Sequence, residues 1–144
     1  MKTKVYIAGS CRSRVAIGFL MSKIEDWGYE IAFDWTVHME DGDASEYVQE
    51  DIKRLRECDL LVYCMDGIKS RGKYFELGYA FALNKPIGIY LLPTYYRVIN
   101  PNDETLPFNV MMENESVFIR SKMCPILHSD NELKTWLANA KFGQ

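Results

Sequence analysis

The segment Leu60-Leu61-Val62-Tyr63-Cys64-Met65 carries no charge and no alternation between apolar and polar positions. A strand of this kind needs cover on both faces, which parallel sheets flanked by helices provide. Pro86-Ile87-Gly88-Ile89-Tyr90-Leu91-Leu92 repeats the pattern, and Lys4 to Ala8 and Tyr29 to Phe33 are shorter versions. Between these runs, apolar residues recur at helical spacing over Val15 to Trp27, Ala44 to Glu57 and Lys73 to Leu83. Strands separated by helices imply parallel crossovers. The pattern predicts an α/β fold, an open parallel sheet of about five strands with helices on both faces. The tail reads as a turn-rich loop over Pro93 to Pro107, a short strand over Ser116 to Arg120 and a helix near Ser129 to Ala140, capped by Ser129 or Asp130.

The 144 residues suit a single domain, 1–144, without internal repeat or linker. A net charge of -3, with acids and bases interspersed, offers no basic stripe for a polymeric nucleic acid. No apolar run approaches the roughly eighteen residues of a membrane span, and Met1-Lys2-Thr3-Lys4 leads straight into a strand. The expectation is a cytoplasmic protein without a membrane partner. Cys11, Cys58, Cys64 and Cys124 form no C-x-x-C pair and read as reduced, packed side chains. His38 and His128 have no acid or cysteine in a ligand pattern, so neither a metal nor another cofactor is expected.

In open parallel sheets, ligands bind beyond the carboxyl ends of the strands. That rule selects Gly9-Ser10-Cys11-Arg12, Asp34-Trp35, the loop bounded by Asp66 and Gly72, and the long segment after the fourth strand. Just past the third of these, Glu76 interrupts the apolar run Tyr74 to Leu83. A carboxylate among aromatic and aliphatic residues carries a desolvation cost, and such groups persist mainly where chemistry needs them. A helix beginning near Gly72 or Lys73 puts Glu76 in its first turn, where the helix dipole keeps it ionised and nucleophilic. In the preceding helix Asp51 interrupts a stripe formed by Tyr47, Val48, Ile52 and Leu55. Spacing alone leaves Asp51 either at the cleft or at the rim, bonded to Tyr6 or a backbone amide. Two carboxylates facing one cleft suit glycosyl transfer, one attacking the sugar and the other handling the leaving group's proton. Gly9-Ser10-Cys11-Arg12 is either an anion-binding turn or a plain strand-to-helix connection; it is neither a Walker nor a dinucleotide glycine motif. Ser70 either adds a hydroxyl to that anion or caps its own helix. Tyr6 either fills the sheet or reaches the site, and Trp35 is either a rim residue or a platform for a base.

Val5-Tyr6-Ile7-Ala8-Gly9-Ser10, Asp51 with Cys58-Asp59-Leu60-Leu61-Val62, Gly72-x-x-Phe75-Glu76-Leu77-Gly78-Tyr79-Ala80, Asn84-Lys85-Pro86 and Leu106-Pro107-Phe108-Asn109-Val110-Met111 together resemble the nucleoside 2-deoxyribosyltransferase family. The resemblance implies a flavodoxin-like fold and cleavage of the N-glycosidic bond of deoxynucleosides, with a small-molecule nucleoside or nucleotide and a nucleobase as partners. By position Glu76 matches the nucleophile. Asp51 matches the carboxylate that contacts and protonates the leaving base, and Tyr6 the tyrosine that orients the nucleophile. Asn109 matches an asparagine that reaches the sugar 5′-hydroxyl of a neighbouring subunit's site, which implies a homo-oligomer. Many transferases carry an aspartate where this chain has Ser70. That departure opens a rival reading, a nucleoside 5′-monophosphate N-glycosidase whose phosphate is held by Ser10, Arg12 and Ser70. The asparagine at 109 argues for the transferase branch. A third reading is a nucleotide-binding module without turnover.

Overall fold

The computed structural model describes residues 1–37, 44–68, 70–92, 112, 115–121 and 123–140. Asn109 and its flanking motif, His38 and the Pro93 to Pro107 segment lie outside the described residues. In chain order come β1 (Lys4–Ala8), a 3-10 turn (Cys11–Ser13), α1 (Arg14–Asp26), β2 (Glu30–Ile31) and a second 3-10 turn (Trp35–Val37). Then follow α2 (Ala44–Glu57), β3 (Leu60–Met65), α3 (Arg71–Ala82), β4 (Ile87–Leu91), α4 (Val117–Arg120), β5 (Ile126–Leu127) and α5 (Asp130–Asn139).

The strands form one five-stranded sheet in the order β2-β1-β3-β4-β5. Every pairing is parallel, with Val5 opposite Leu60 and Leu61 opposite Ile87. This is the flavodoxin-like order, which reverses direction between β1 and β3. Alternation along the strands divides the core in two. Val5, Ile7, Leu60, Val62 and Cys64 meet Ile17, Leu20, Met21 and Ile24 of α1 and Leu133 and Leu137 of α5. Tyr6, Ala8, Leu61, Tyr63 and Met65 meet Leu55 of α2, Leu77 and Ala80 of α3 and Ile119 of α4. Burial on both faces explains why β3 reads as an unbroken apolar run.

The structure corrects several sequence expectations. Ser116 to Arg120 is not a strand. Arg120 N–H donates to Ser116 O at 3.1 Å and Ser121 N–H to Val117 O at 2.8 Å, making one short helix. Only one side of it is covered, since Ile119 is buried while Val117 and Phe118 are exposed. The fifth strand is Ile126–Leu127, paired with Ile89 and Tyr90. β2 is shorter than Tyr29 to Phe33 because only Glu30 and Ile31 find partners on β1. α3 starts at Arg71, after an extended Ser70 whose carbonyl accepts the Tyr74 amide at 3.3 Å. Glu76 therefore falls beyond its first turn, away from the helix's orphan amides. Val48 is exposed, so the buried stripe of α2 is narrower than its sequence suggested. α5 follows expectation, with Ser129 Oγ accepting from the Glu132 amide at 3.1 Å. Among the described residues no helix is long and apolar enough to cross a membrane.

Candidate active site

The loops after β1 and β3 flank the point where strand order reverses, and a buried polar network joins them. Gly9 follows β1 hard against α1: an added Cβ would lie 2.2 Å from Ile17 Cδ1 and would force that side chain to move. Beyond it, Ser10 Oγ donates to Asp66 Oδ2 at 2.7 Å, and Ser13 Oγ donates to the same oxygen. A positive φ of 81° at Gly67 turns the chain, and the Ile68 amide then donates to Asp66 Oδ1 at 2.9 Å. Lys73 Nζ closes the network, 3.1 Å from Asp66 Oδ1 and 3.8 Å from Glu115 Oε1. Tyr63 donates its hydroxyl to Glu115 Oε2 at 3.0 Å. The Lys73 and Asp66 side chains are wholly buried.

Removing one partner of a buried, hydrogen-bonded ion pair leaves the other charge uncompensated. Lys73→Met is expected to destabilise the fold by about 3–5 kcal/mol. Urea unfolding of the variant checks this, and a change below about 1 kcal/mol would mean the pair is screened like a surface ion pair.

Over this base lies a cleft of about 250 Å³. Gly9 and Cys11 form one lip, Phe33 and Trp35 a wall, Tyr47 and Asp51 of α2 a second wall, and Ser70, Gly72 and Glu76 the α3 side. Trp35 is fixed by its indole N–H, which donates to Ile7 O at 2.7 Å, so it offers the cleft a ring rather than a donor. Ser70 occupies the N-cap position of α3, yet its side chain makes no capping hydrogen bond. A larger cavity of about 390 Å³ lies against another face of α3, between Leu77, Phe81, Ile119 and Met123, with no carboxylate in its described lining. Chemistry points to the smaller one.

Three titratable groups meet at its floor. The Tyr6 hydroxyl, from the middle of β1, donates to Asp51 Oδ1 at 3.3 Å and lowers the proton affinity of the neighbouring Glu76 carboxyl. Burial, then the charges of Glu76 and Asp51, keep this phenol protonated and therefore a donor. Burial pushes Asp51 above its ordinary value, and the Tyr6 bond partly offsets it. Glu76 is pushed up to about 8, chiefly by burial and secondly by the charge of Asp51, against the lowering effect of Tyr6. Its Oε2 is shut off from solvent and has no hydrogen-bond partner among the described residues. The sequence expectation of a dipole-stabilised anion is therefore corrected. Burial and the Asp51 charge raise the proton affinity of Glu76, and its place past the helix's first turn leaves the dipole little to offset them.

This position costs stability, with a definite sign. Below about pH 4.5 the carboxyl is neutral in both folded and unfolded chains. Between there and about pH 8 the unfolded chain releases the proton that the folded chain retains, so stability falls as pH rises. The loss is at most about 1.4 kcal/mol per pH unit. Glu76→Gln is expected to raise the melting temperature more at pH 8 than at pH 5; an equal shift at both would show that Glu76 titrates normally.

Of the residues singled out by sequence, Gly9, Trp35, Asp51, Ser70, Gly72 and Glu76 line the cleft and Tyr6 lies under it. Ser10 and Asp66 are bonded to each other beneath it, each at most 3% exposed. Arg12 is exposed and is not part of the described lining. Cys58 and Cys64 are buried, but Cys11 is exposed on the cleft's lip rather than packed. His128 is exposed. Sequence reasoning overlooked Phe33 and the chemical character of Tyr47, which it had placed in an apolar stripe. It also overlooked Lys73, a cation in a run otherwise fit for burial, which was the available signal for the ion network.

An open parallel α/β sheet carrying a two-carboxylate cleft at its strand-order reversal describes a class of small-molecule sites. The sequence model for nucleoside 2-deoxyribosyltransferases matches residues 5–111, and the chain belongs to that family. Among curated proteins none matches it. Of solved structures, it is similar to the CMP N-glycosidase BcmB of Clostridium botulinum, with 18% identity and a TM-score of 0.57. That match covers 96% of this chain and 100% of the other. It is also similar to a 2-deoxyribosyltransferase from Leishmania mexicana, with 14% identity, a TM-score of 0.64 and coverage of 96% and 99%. At these identities the likeness concerns the fold.

Proposed function

We propose that the protein cleaves the N-glycosidic bond of 2′-deoxynucleosides and passes the deoxyribosyl group to an acceptor nucleobase through a covalent intermediate on Glu76. The observation that carries this is the triad at the cleft floor: Glu76 with a buried oxygen that has no hydrogen-bond partner among the described residues, Asp51 whose charge acts on it, and Tyr6, which donates to Asp51 and favours the Glu76 anion. Ionised Glu76 attacks the anomeric carbon as the bond to the base nitrogen breaks, through an oxocarbenium-like transition state. Asp51 delivers its proton to the departing base, and Tyr6, always a donor, orients the Glu76 carboxylate. An incoming base, or water, then attacks the same carbon, gives its proton to Asp51 and breaks the bond to Glu76, which leaves as a carboxylate. In this reading Asn109 completes the site from a second copy of the chain.

One observation favours a second reading. Ser70 presents a hydroxyl to the cleft where a carboxylate would repel a 5′-phosphate, and one of the similar folds is a CMP N-glycosidase. In that version Arg12, Ser70 and the Ser10 turn hold the phosphate and water resolves the intermediate. The Ser10 hydroxyl is engaged by Asp66, so its contribution is the shape and amides of the turn.

Chromatography of deoxynucleosides and their 5′-monophosphates, each with and without free base, tests both. New nucleoside formed only with acceptor supports the transferase. Free base released from monophosphates alone supports the hydrolase. No product from any substrate rejects both in favour of a binding module.

A further inference from the structure

Tyr47 lines the cleft, and the reaction so far has no use for its hydroxyl. The Tyr47 hydroxyl is shut off from solvent and, like Glu76 Oε2, has no hydrogen-bond partner among the described residues. A buried hydroxyl without a partner is destabilising and calls for a physical explanation. Tyr47 and Asp51 lie four residues apart on one face of α2, and both line the cleft. That spacing is about one helical turn, a rise of about 6 Å. The opposing wall, Phe33 and Trp35, supplies rings, and the Trp35 N–H is already engaged by Ile7. A planar base with its glycosidic nitrogen near Asp51 and Glu76 then has its far edge one turn away along α2.

We infer that Tyr47 is a specificity-determining residue whose hydroxyl binds the exocyclic amino or carbonyl group on the far edge of the nucleobase, position 4 of a pyrimidine or 6 of a purine. A phenolic hydroxyl is both donor and acceptor, so it serves either group. It leaves a base with hydrogen at that position unanchored. This inference rests on the glycosidic reading above, because that reading places the reacting carbon at Glu76. It also accounts for the hydroxyl, which a bound base would satisfy.

Tyr47→Phe keeps the ring and removes only the unpartnered oxygen, so its stability should equal or exceed that of the parent. The test compares wild type and Tyr47→Phe in two assays. In the first, binding of the free bases adenine and cytosine is compared with that of purine and 2-hydroxypyrimidine by calorimetry, which needs no turnover. In the second, kcat/KM is compared for deoxyadenosine against purine 2′-deoxyriboside and for deoxycytidine against its 4-unsubstituted analogue, as nucleosides and as 5′-monophosphates. Wild type should prefer the substituted bases by about tenfold, and the variant should treat each pair alike, mainly through KM. The same preference in the variant, no preference in wild type, or a destabilised variant would each overturn the assignment. Binding that discriminates as expected without any turnover would uphold Tyr47 and reject the glycosidic reading; turnover with unaltered discrimination would do the reverse.

Discussion

Glu76→Ala is expected to lower turnover by roughly a thousandfold or more while the protein stays folded and still binds nucleobase. The variant removes the proposed nucleophile, and it deletes a carboxyl whose burial disfavours the folded state at neutral pH. Loss of activity through unfolding is therefore not the expected route. Steady-state rates, paired with thermal unfolding and base binding, separate the two. A second readout is the covalent adduct: wild type mixed with a poor acceptor should show a deoxyribosyl mass increment on the peptide containing Glu76, absent from the variant. More than a tenth of wild-type activity remaining in Glu76→Ala would remove the nucleophile assignment.

The second large effect concerns the proton. Asp51→Asn should cost roughly 10²–10⁴-fold with ordinary nucleosides, the usual span for a positioned general acid. The loss should be much smaller with leaving groups that depart as stable anions, and equal losses on both would argue against an acid role. The pH profile carries the same logic. Two carboxyls coupled by charge and by one neighbouring phenol titrate as a pair. The reactive form keeps one proton, on Asp51, with Glu76 ionised. Wild-type kcat/KM should therefore be bell-shaped, falling above about pH 8 as the pair loses that proton, and falling in acid once a second proton is taken up. With anionic leaving groups only Glu76 need ionise, so the rate should rise to about pH 8 and stay level. In Asp51→Asn the neighbouring charge that raises Glu76 is gone, and that plateau should begin at lower pH.

Both variants act on residues that sequence pattern had singled out, whereas their electrostatics had to come from the fold. The unbroken apolarity of Leu60–Met65 and its alternation with helical stretches fixed a parallel sheet covered on both sides, because strand burial is written in side-chain period. The bounds of β1, α2 and β3 followed for the same reason. Glu76 was legible as a charge in the wrong surroundings, a local contrast that needs no third dimension. Its protonation was not legible. That depends on one residue of helix start, on Asp51 from a different helix and on Tyr6 from a strand 70 positions earlier, and none of these distances is encoded in local spacing. The fifth strand was misplaced because two residues of strand are defined by pairing with Ile89 and Tyr90 rather than by their own composition. Ser10 and Asp66, 56 positions apart, each read as ligand-binding polar residues until folding brought them together. Side-chain period and local contrast are properties of a segment, and a chain reveals them directly. Proton affinity, hydrogen-bond partnership and the burial of the Tyr47 hydroxyl arise between segments and exist only once the sheet brings them together.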